Sequence, residues 1–160
     1  MQDQDDFLAK LRLEFLDEAY LREIAEWYAA QHPPLEPVAV PVTIPEMLGR
    51  GRSIVLGGVP ERGVPACSLC HGPNLVGMEP GIPGLLGLKP TYITAQLGAW
   101  RYGTRTARAP DCMQQVASLL TEADTTAVAA YLATLPAPAD PAPLPAGTLT
   151  TPLACGSEPQ

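Results

Sequence analysis

The segment Cys67-Ser68-Leu69-Cys70-His71 constrains this chain more than any other part of it. Two cysteines separated by two residues and followed directly by histidine have the spacing by which c-type haem is attached. The two thiols can reach the two vinyl groups along one porphyrin edge, and the adjacent imidazole can then bind the iron. We therefore expect one covalent haem c, held by Cys67 and Cys70, with His71 as an axial ligand of its iron.

Two other kinds of site also use a C-x-x-C pair. A zinc site would need a second pair of ligands at metal-binding spacing, whereas Cys112, Cys155 and His32 are scattered singly. A thioredoxin-like dithiol would follow a strand in a βαβ pattern, and the residues beside the motif show no such pattern. Both comparisons favour haem.

The 19 prolines of this 160-residue chain are concentrated in two places, which we interpret as extended segments rather than packed structure. We predict an amphipathic helix within residues 1–30, a proline-rich linker at 31–45, the haem domain at 46–136 and a proline-rich tail at 137–160.

Each persuasive element has a helical pattern, so the sequence predicts an all-α fold. Helices are expected over Phe7–Ala30, with Asp17 as a candidate N-cap, over Glu46–Leu56, and from Pro90 to Trp100. A last helix follows Thr121-Glu122-Ala123-Asp124, which resembles a capping box.

The first and last predicted helices share a pattern at a constant offset of 104 residues, beginning with Leu16-Asp17-Glu18-Ala19 and Leu120-Thr121-Glu122-Ala123. This repeat indicates that residues 1–30 are the remnant of a preceding, similar domain. The alternative is that any two capped amphipathic helices look alike.

The net charge of −7 argues against nucleic acid or an anionic membrane as a partner and favours a redox protein with a basic docking face. No stretch is apolar for long enough to span a bilayer. The acidic start is unlike a signal peptide. Because haem is normally attached to this motif outside the cytoplasm, we nevertheless expect a bacterial periplasmic location, with the leader not included in this chain.

A second axial ligand would decide between electron transfer and ligand binding, because a thioether opposite the histidine closes the iron site. Met113 is the preferred ligand, since a loop before the last helix could fold across the far haem face. Met78 follows His71 too closely, and Met47 lies in a predicted helix. Cys112 could compete for the iron or could form a disulfide with Cys155.

Several motifs follow one another in the order found in a known family. They are Cys67–His71, Ile82-Pro83-Gly84-Leu85-Leu86-Gly87, Tyr92, Gln96-Leu97, Trp100-Arg101-Tyr102-Gly103-Thr104-Arg105, Met113 and Leu120–Leu132. In this order the chain resembles class I cytochromes c, in particular the bacterial cytochrome c4 and c553 group, over residues 46–136.

The resemblance implies a small helical bundle around one haem and assigns further residues to the pocket. Pro83 would offer its carbonyl to His71, Leu85 would pack on the haem, and Arg105 would lie near a propionate. Tyr92 and Trp100 would wall the pocket, or would pack in the core without touching haem.

The function implied is single-electron transfer between periplasmic or membrane redox partners, with the chain acting alone or as a subunit of a dehydrogenase or oxidase complex. Two alternatives stay open from the sequence. One is a haem enzyme or sensor with a displaceable sixth ligand, and the other is a structural domain with a vestigial site.

Overall fold

The computed structural model describes residues 15–31, 44–136, 138 and 140–157, and within these ranges it contains helices and isolated bridges but no β-strand. This confirms the predicted all-α fold. The six α-helices are α1 (Glu18–Ala29), α2 (Pro45–Gly57), α3 (Cys67–His71), α4 (Pro90–Arg101), α5 (Cys112–Leu119) and α6 (Glu122–Thr134). A 3₁₀ turn spans Pro60–Arg62. In the described ranges no helix is long and apolar enough to cross a membrane.

The chain divides into two compact units at Pro34, and α1 belongs to the first of them. Of the predicted helix Phe7–Ala30, residues 7–14 lie outside the described ranges, and Phe15 and Leu16 form a turn and a bend, so the described helix begins at Glu18. Asp17 is extended and its carboxylate accepts a hydrogen bond from the Tyr20 amide at 2.8 Å, so it is the N-cap as predicted. None of the residues of α1 is buried.

The second unit contains the other five helices, three of which match the prediction closely. Helices α2 and α4 begin at Pro45 and Pro90, where a proline costs no hydrogen bond because the first amides of a helix have no internal partner. Helix α5 was not predicted. It is only eight residues long, and its start signal is Asp111, whose carboxylate accepts a hydrogen bond from the Gln114 amide at 3.0 Å.

The core of the second unit forms where α2 packs on α6. Gly51 allows the close approach, since a Cβ built there would lie 2.7 Å from the Cβ of Tyr131 and equally close to the carbonyl carbon of Ala127. Around this crossing, apolar side chains from several helices bury one another; they include Ile54, Val55, Ile93, Leu120, Val128 and Leu132. Burial of this apolar surface is the main stabilising term for such a small bundle.

The start of α6 is fixed by a buried carboxylate. Asp124 is 1% exposed and completes the predicted capping box with Thr121. Its two oxygens also accept from Arg50 of α2 at 2.7 Å and from Arg62 of the 3₁₀ turn at 2.8 Å. Asp124 thus joins α6 to α2 and to the 3₁₀ turn. Arg62 in addition donates to the carbonyl of Leu119 at 2.9 Å.

Residues 140–157, which we call the C-terminal strap, differ from the extended, unpacked tail that the sequence predicts. Leu144 forms a parallel bridge with Met78, and Cys155 forms a disulfide with Cys112. The strap is irregular in backbone, but it is tied to the helical unit at both ends. The disulfide is one of the two alternatives that the sequence leaves open for Cys112, whereas proline-rich composition carries no signal for the bridge between Leu144 and Met78.

Candidate haem site

The C-x-x-C-H motif forms the short helix α3, which places His71 at its end. The imidazole is 6% exposed, and its Nδ1 lies 2.7 Å from the carbonyl oxygen of Pro83. The nitrogen that faces a carbonyl must carry the proton, so Nε2 is left as an acceptor that can bind a metal. The contact expected from the resemblance is therefore present.

The loop after α3 returns Pro83 to the histidine. Gly77 donates its amide to the carbonyl of His71 at 2.8 Å, and Leu85 donates to the carbonyl of Leu75 at 2.9 Å. Gly77 has a φ of +88°, and a Cβ there would lie 2.6 Å from the carbonyl carbon of Pro83. Only glycine satisfies both the positive φ and the close approach. Gly77 is not among the predicted site residues, although an isolated glycine shortly after the motif is the signal that could have identified it.

The pKa shifts of the motif side chains suit a cofactor site better than the active site of a dithiol enzyme. Burial lowers the pKa of His71 although its hydrogen bond to Pro83 opposes this, so the ring is neutral at pH 7. Burial also raises the pKa of Cys67 to about 11, helped by the nearby Cys70 and opposed by a backbone hydrogen bond. Catalytic dithiols need the opposite shift, toward the thiolate.

In the described part of the chain, no cluster of three or more His, Cys, Asp or Glu residues has an arrangement that could hold a metal ion. Cys67 forms no disulfide with another described residue, and a cysteine outside a disulfide is what thioether formation requires.

Helix α4 and the loop after it bring Trp100 and Arg105 together. The guanidinium carbon of Arg105 lies 3.9 Å from the centre of the Trp100 ring, and Gln96 accepts a hydrogen bond from the same guanidinium. The indole Nε1 of Trp100 is buried and has no hydrogen-bond partner within the described residues. A buried donor without an acceptor is costly, and a haem propionate is an acceptor of the right charge.

The other two residues predicted for the pocket are Leu85 and Tyr92, which lie outside the cluster of Trp100 and Arg105. Leu85 is half-buried and packs against the apolar core, whereas Tyr92 on α4 is 48% exposed. Their contact with haem stays a prediction.

The candidates for the second axial ligand of the iron, three methionines and Cys112, differ in their surroundings. Met113 lies in the first turn of α5, not in a loop as predicted, and is half-buried. Met78 is 2% exposed and its Sδ accepts a hydrogen bond from the Leu149 amide at 3.4 Å, so its sulfur is already engaged. Met47 is half-buried on α2, and His32 lies outside the described residues. Because Cys112 is in the disulfide, its thiolate does not compete for iron.

The residues present thus fit a covalently attached haem: two cysteines at the attachment spacing, a histidine with Nε2 available, and an indole donor that lacks a partner among the described residues. Such a set of side chains on a small helical bundle defines a haem-binding domain of the cytochrome c type.

Comparison with known proteins gives the family. No protein-family profile matches the chain. The chain is 36% identical over 121 residues to a thiosulfate dehydrogenase electron acceptor from Thiomonas intermedia. The aligned region covers 76% of this chain and 55% of that protein. It is 34% identical over 119 residues to cytochrome c4 from Pseudomonas aeruginosa, covering 73% of this chain and 57% of the relative. The chain spans about half the length of these relatives.

Solved structures agree. The Acidithiobacillus ferrooxidans cytochrome c4 structure superposes with a TM-score of 0.60 at 34% identity, over 76% of this chain and 67% of that one. The thiosulfate dehydrogenase TsdBA from Marichromatium purpuratum gives a TM-score of 0.66 at 35% identity, over 77% of this chain and 26% of that one. The chain therefore belongs to the class I c-type cytochromes, in the group that includes cytochrome c4 and the thiosulfate dehydrogenase electron acceptors.

Proposed function

We propose that this chain is a mono-haem electron carrier whose iron is ligated by His71 and Met113, with Cys67 and Cys70 forming the thioether bonds. The observation that carries the proposal is the hydrogen bond between His71 Nδ1 and the Pro83 carbonyl, because it fixes the tautomer that leaves Nε2 for iron. Engagement of the Met78 sulfur by Leu149 supports Met113 as the second ligand.

When bound, the haem supplies a one-electron iron couple. The chain's own residues would hold and tune it. The Pro83 carbonyl orients the His71 ring and increases the electron donation of its Nε2. The Trp100 indole and the Arg105 guanidinium would offer donors to a propionate, and the apolar side chains packed around Leu85 would keep water out. Because a thioether opposite the histidine would close the iron site, we propose that catalysis belongs to the partners.

The proposed partners are redox proteins, and the net charge of −7 favours a basic docking face on them. One of the relatives is an electron acceptor of thiosulfate dehydrogenase, so a dehydrogenase is a reasonable class of electron donor for this chain. A periplasmic location is proposed on two grounds. The C-x-x-C-H motif normally receives haem outside the cytoplasm, and the Cys112–Cys155 disulfide suits an oxidising compartment.

The domain division is proposed as the sequence predicts it, with residues 1–30 as the remnant of a preceding cytochrome domain, 31–45 as a linker, 46–136 as the haem domain and 137–160 as its tail. The shared offset of 104 residues between the starts of α1 and α6 supports the repeat.

The test is an oxidised and reduced absorption spectrum of protein expressed with a cytochrome c maturation system. Wild type is compared with Met113→Ala and with Met47→Ala as the matched control, since Met47 is also a half-buried helical methionine. We expect haem that survives denaturation, and a long-wavelength band of methionine-ligated ferric iron that only Met113→Ala abolishes. Covalent haem with an unchanged spectrum in Met113→Ala would refute the ligand assignment. The absence of covalent haem would refute the proposal altogether.

A further inference from the structure

The C-terminal strap contacts the loop that carries the partner of the proximal histidine. The Leu144 amide donates to the carbonyl of Gly77, and its own carbonyl accepts from the Glu79 amide, both at 2.9 Å. Gly77 is the residue whose amide bonds to the carbonyl of His71. Further along the strap, Leu149 donates to the sulfur of Met78. These contacts brace the loop 77–83 from the outside.

Contact with this loop depends on those few bonds. Upstream of Leu144, a cavity of about 500 Å³ lies between the strap and the loop, lined on the strap side by Pro141 and Pro143 and on the loop side by residues around Pro83. The strap is thus held to the loop at Leu144 and Leu149 rather than along its whole length.

The other end of the strap is fixed beside Met113. Cys155 is 6% exposed and forms the disulfide with Cys112, the residue immediately before Met113. The Gly156 amide donates to the carbonyl of Pro110 at 2.9 Å. The fit is close, because a Cβ added at Gly156 would lie 2.6 Å from the carbonyl oxygen of Arg108. The start of α5 is therefore bound covalently and by packing to the strap.

We propose that the C-terminal strap is a positioning element for both axial ligands of the haem iron. It braces the loop that orients His71, and it anchors the first turn of α5, which presents Met113. The inference rests on the proposed His71/Met113 ligation. It assigns a role to a segment that composition alone identifies as a tail, and it makes Leu144, Cys155 and Gly156 positioning residues.

The physical consequence concerns how often the methionine leaves the iron. A residue at the start of a short helix is prone to local opening, and anchoring its neighbour by a disulfide lowers the population of the opened state. An exogenous ligand such as carbon monoxide binds only while the methionine is displaced, so its apparent affinity rises in proportion to that population.

Two variants release the anchor by different means. Cys112→Ser combined with Cys155→Ser removes the disulfide without leaving a thiol beside the iron. Gly156→Ala keeps the disulfide but pushes the strap away from the backbone around Arg108. The matched controls are Gly49→Ala, where nothing lies within 4 Å of the added methyl group, and Thr150→Ala on the exposed surface of the strap.

Each folded holoprotein is assayed for the ferric methionine band and for the affinity of the ferrous form for carbon monoxide. We expect the double serine variant to show a weakened band and an affinity about tenfold higher, corresponding to a tenfold larger displaced fraction. Gly156→Ala should change in the same direction, and both controls should match wild type. A purely structural role would lower the unfolding midpoint without altering either readout under native conditions.

Should the double variant not fold, wild-type holoprotein is treated with a phosphine, its released thiols are alkylated, and the iron is reoxidised with ferricyanide before the same measurements. Wild-type ligation in all of these proteins would overturn the strap proposal while leaving the proposed function intact. A wild-type protein that lacks the methionine band would instead refute the ligation on which both depend.

Discussion

The buried carboxylate of Asp124 gives the sharpest stability prediction. Asp124→Asn preserves the size of the side chain and one carbonyl oxygen but removes the charge that faces Arg50 and Arg62. Because Asp124 is 1% exposed, water cannot replace the lost interactions at the carboxylate itself. The two arginine side chains, 50% and 30% exposed, can be partly rehydrated.

The magnitude follows from the number of charge-assisted hydrogen bonds. Each bond to a charged group contributes about 1.5–3 kcal/mol net, and the partial exposure of both arginines favours the lower end. Two arginine contacts therefore predict a loss of about 3 kcal/mol in the free energy of unfolding. Asp124→Ala also removes the capping box with Thr121 and should cost about 1 kcal/mol more.

The pH dependence gives an independent check. Burial would raise the pKa of Asp124, but the hydrogen bonds from Thr121, Arg62 and Arg50 outweigh it and hold that pKa well below its ordinary value of 3.8. A depressed pKa contributes stability that is complete above the unfolded value and is lost as the pH falls toward the folded one. The difference between wild type and Asp124→Asn should thus be constant from pH 7 to about 5 and should shrink by about 1.4 kcal/mol per pH unit below 3.8.

Urea unfolding of the holoproteins at a series of pH values, followed by far-ultraviolet circular dichroism, measures both effects. Glu18→Gln is the control, because the Glu18–Arg22 pair on α1 is largely exposed and should contribute less than about 0.5 kcal/mol. A difference of less than about 1 kcal/mol between wild type and Asp124→Asn at pH 7 would refute the assignment of two effective charge-assisted contacts. A difference that does not narrow in acid would refute the role of the ionised carboxylate.

Two further variants test the helix crossing and the pocket. Gly51→Ala should cost about 2 kcal/mol in urea unfolding, because its methyl group collides with the backbone of Ala127, whereas Gly49→Ala, which meets nothing within 4 Å, should be neutral or slightly stabilising. Trp100→Phe removes the buried indole donor but keeps an aromatic ring, and voltammetry should show a reduction potential lowered by roughly 20–60 mV, or about 0.5–1.4 kcal/mol for one electron. Trp27→Phe, at a 57% exposed position, should leave that potential unchanged, and an equal shift in both variants would refute the pocket role of Trp100.

The features that the sequence predicts well are those encoded by neighbouring residues. The proline at the start of α4 and the capping box at Thr121 each depend on fewer than a dozen consecutive positions, and the structure has both of them as expected. The haem motif is equally local, and its assignment stays a prediction. The ion pair between Arg50 and Asp124 joins residues 74 positions apart, and no local pattern marks either side chain as a partner of the other. The pairing of Leu144 with Met78 has no local signal either, since proline content describes the backbone but not its partners. The Cys112–Cys155 disulfide, by contrast, is one of the two alternatives that the sequence leaves open for Cys112.

A comparison of α1 with α6 distinguishes what neighbouring residues determine from what distant contacts determine. Both begin at positions related by the offset of 104, Glu18 and Glu122, and each is preceded by a side-chain N-cap. The start signal is local, so it forms in α1 whatever surrounds the helix. Burial is not local: Tyr131 of α6 lies against Gly51 of α2, whereas Trp27, which lies at the same offset of 104 on α1, is 57% exposed. The boundaries of both helices therefore follow from neighbouring residues, whereas the burial of the apolar face of α6 depends on a glycine 80 positions away in the sequence.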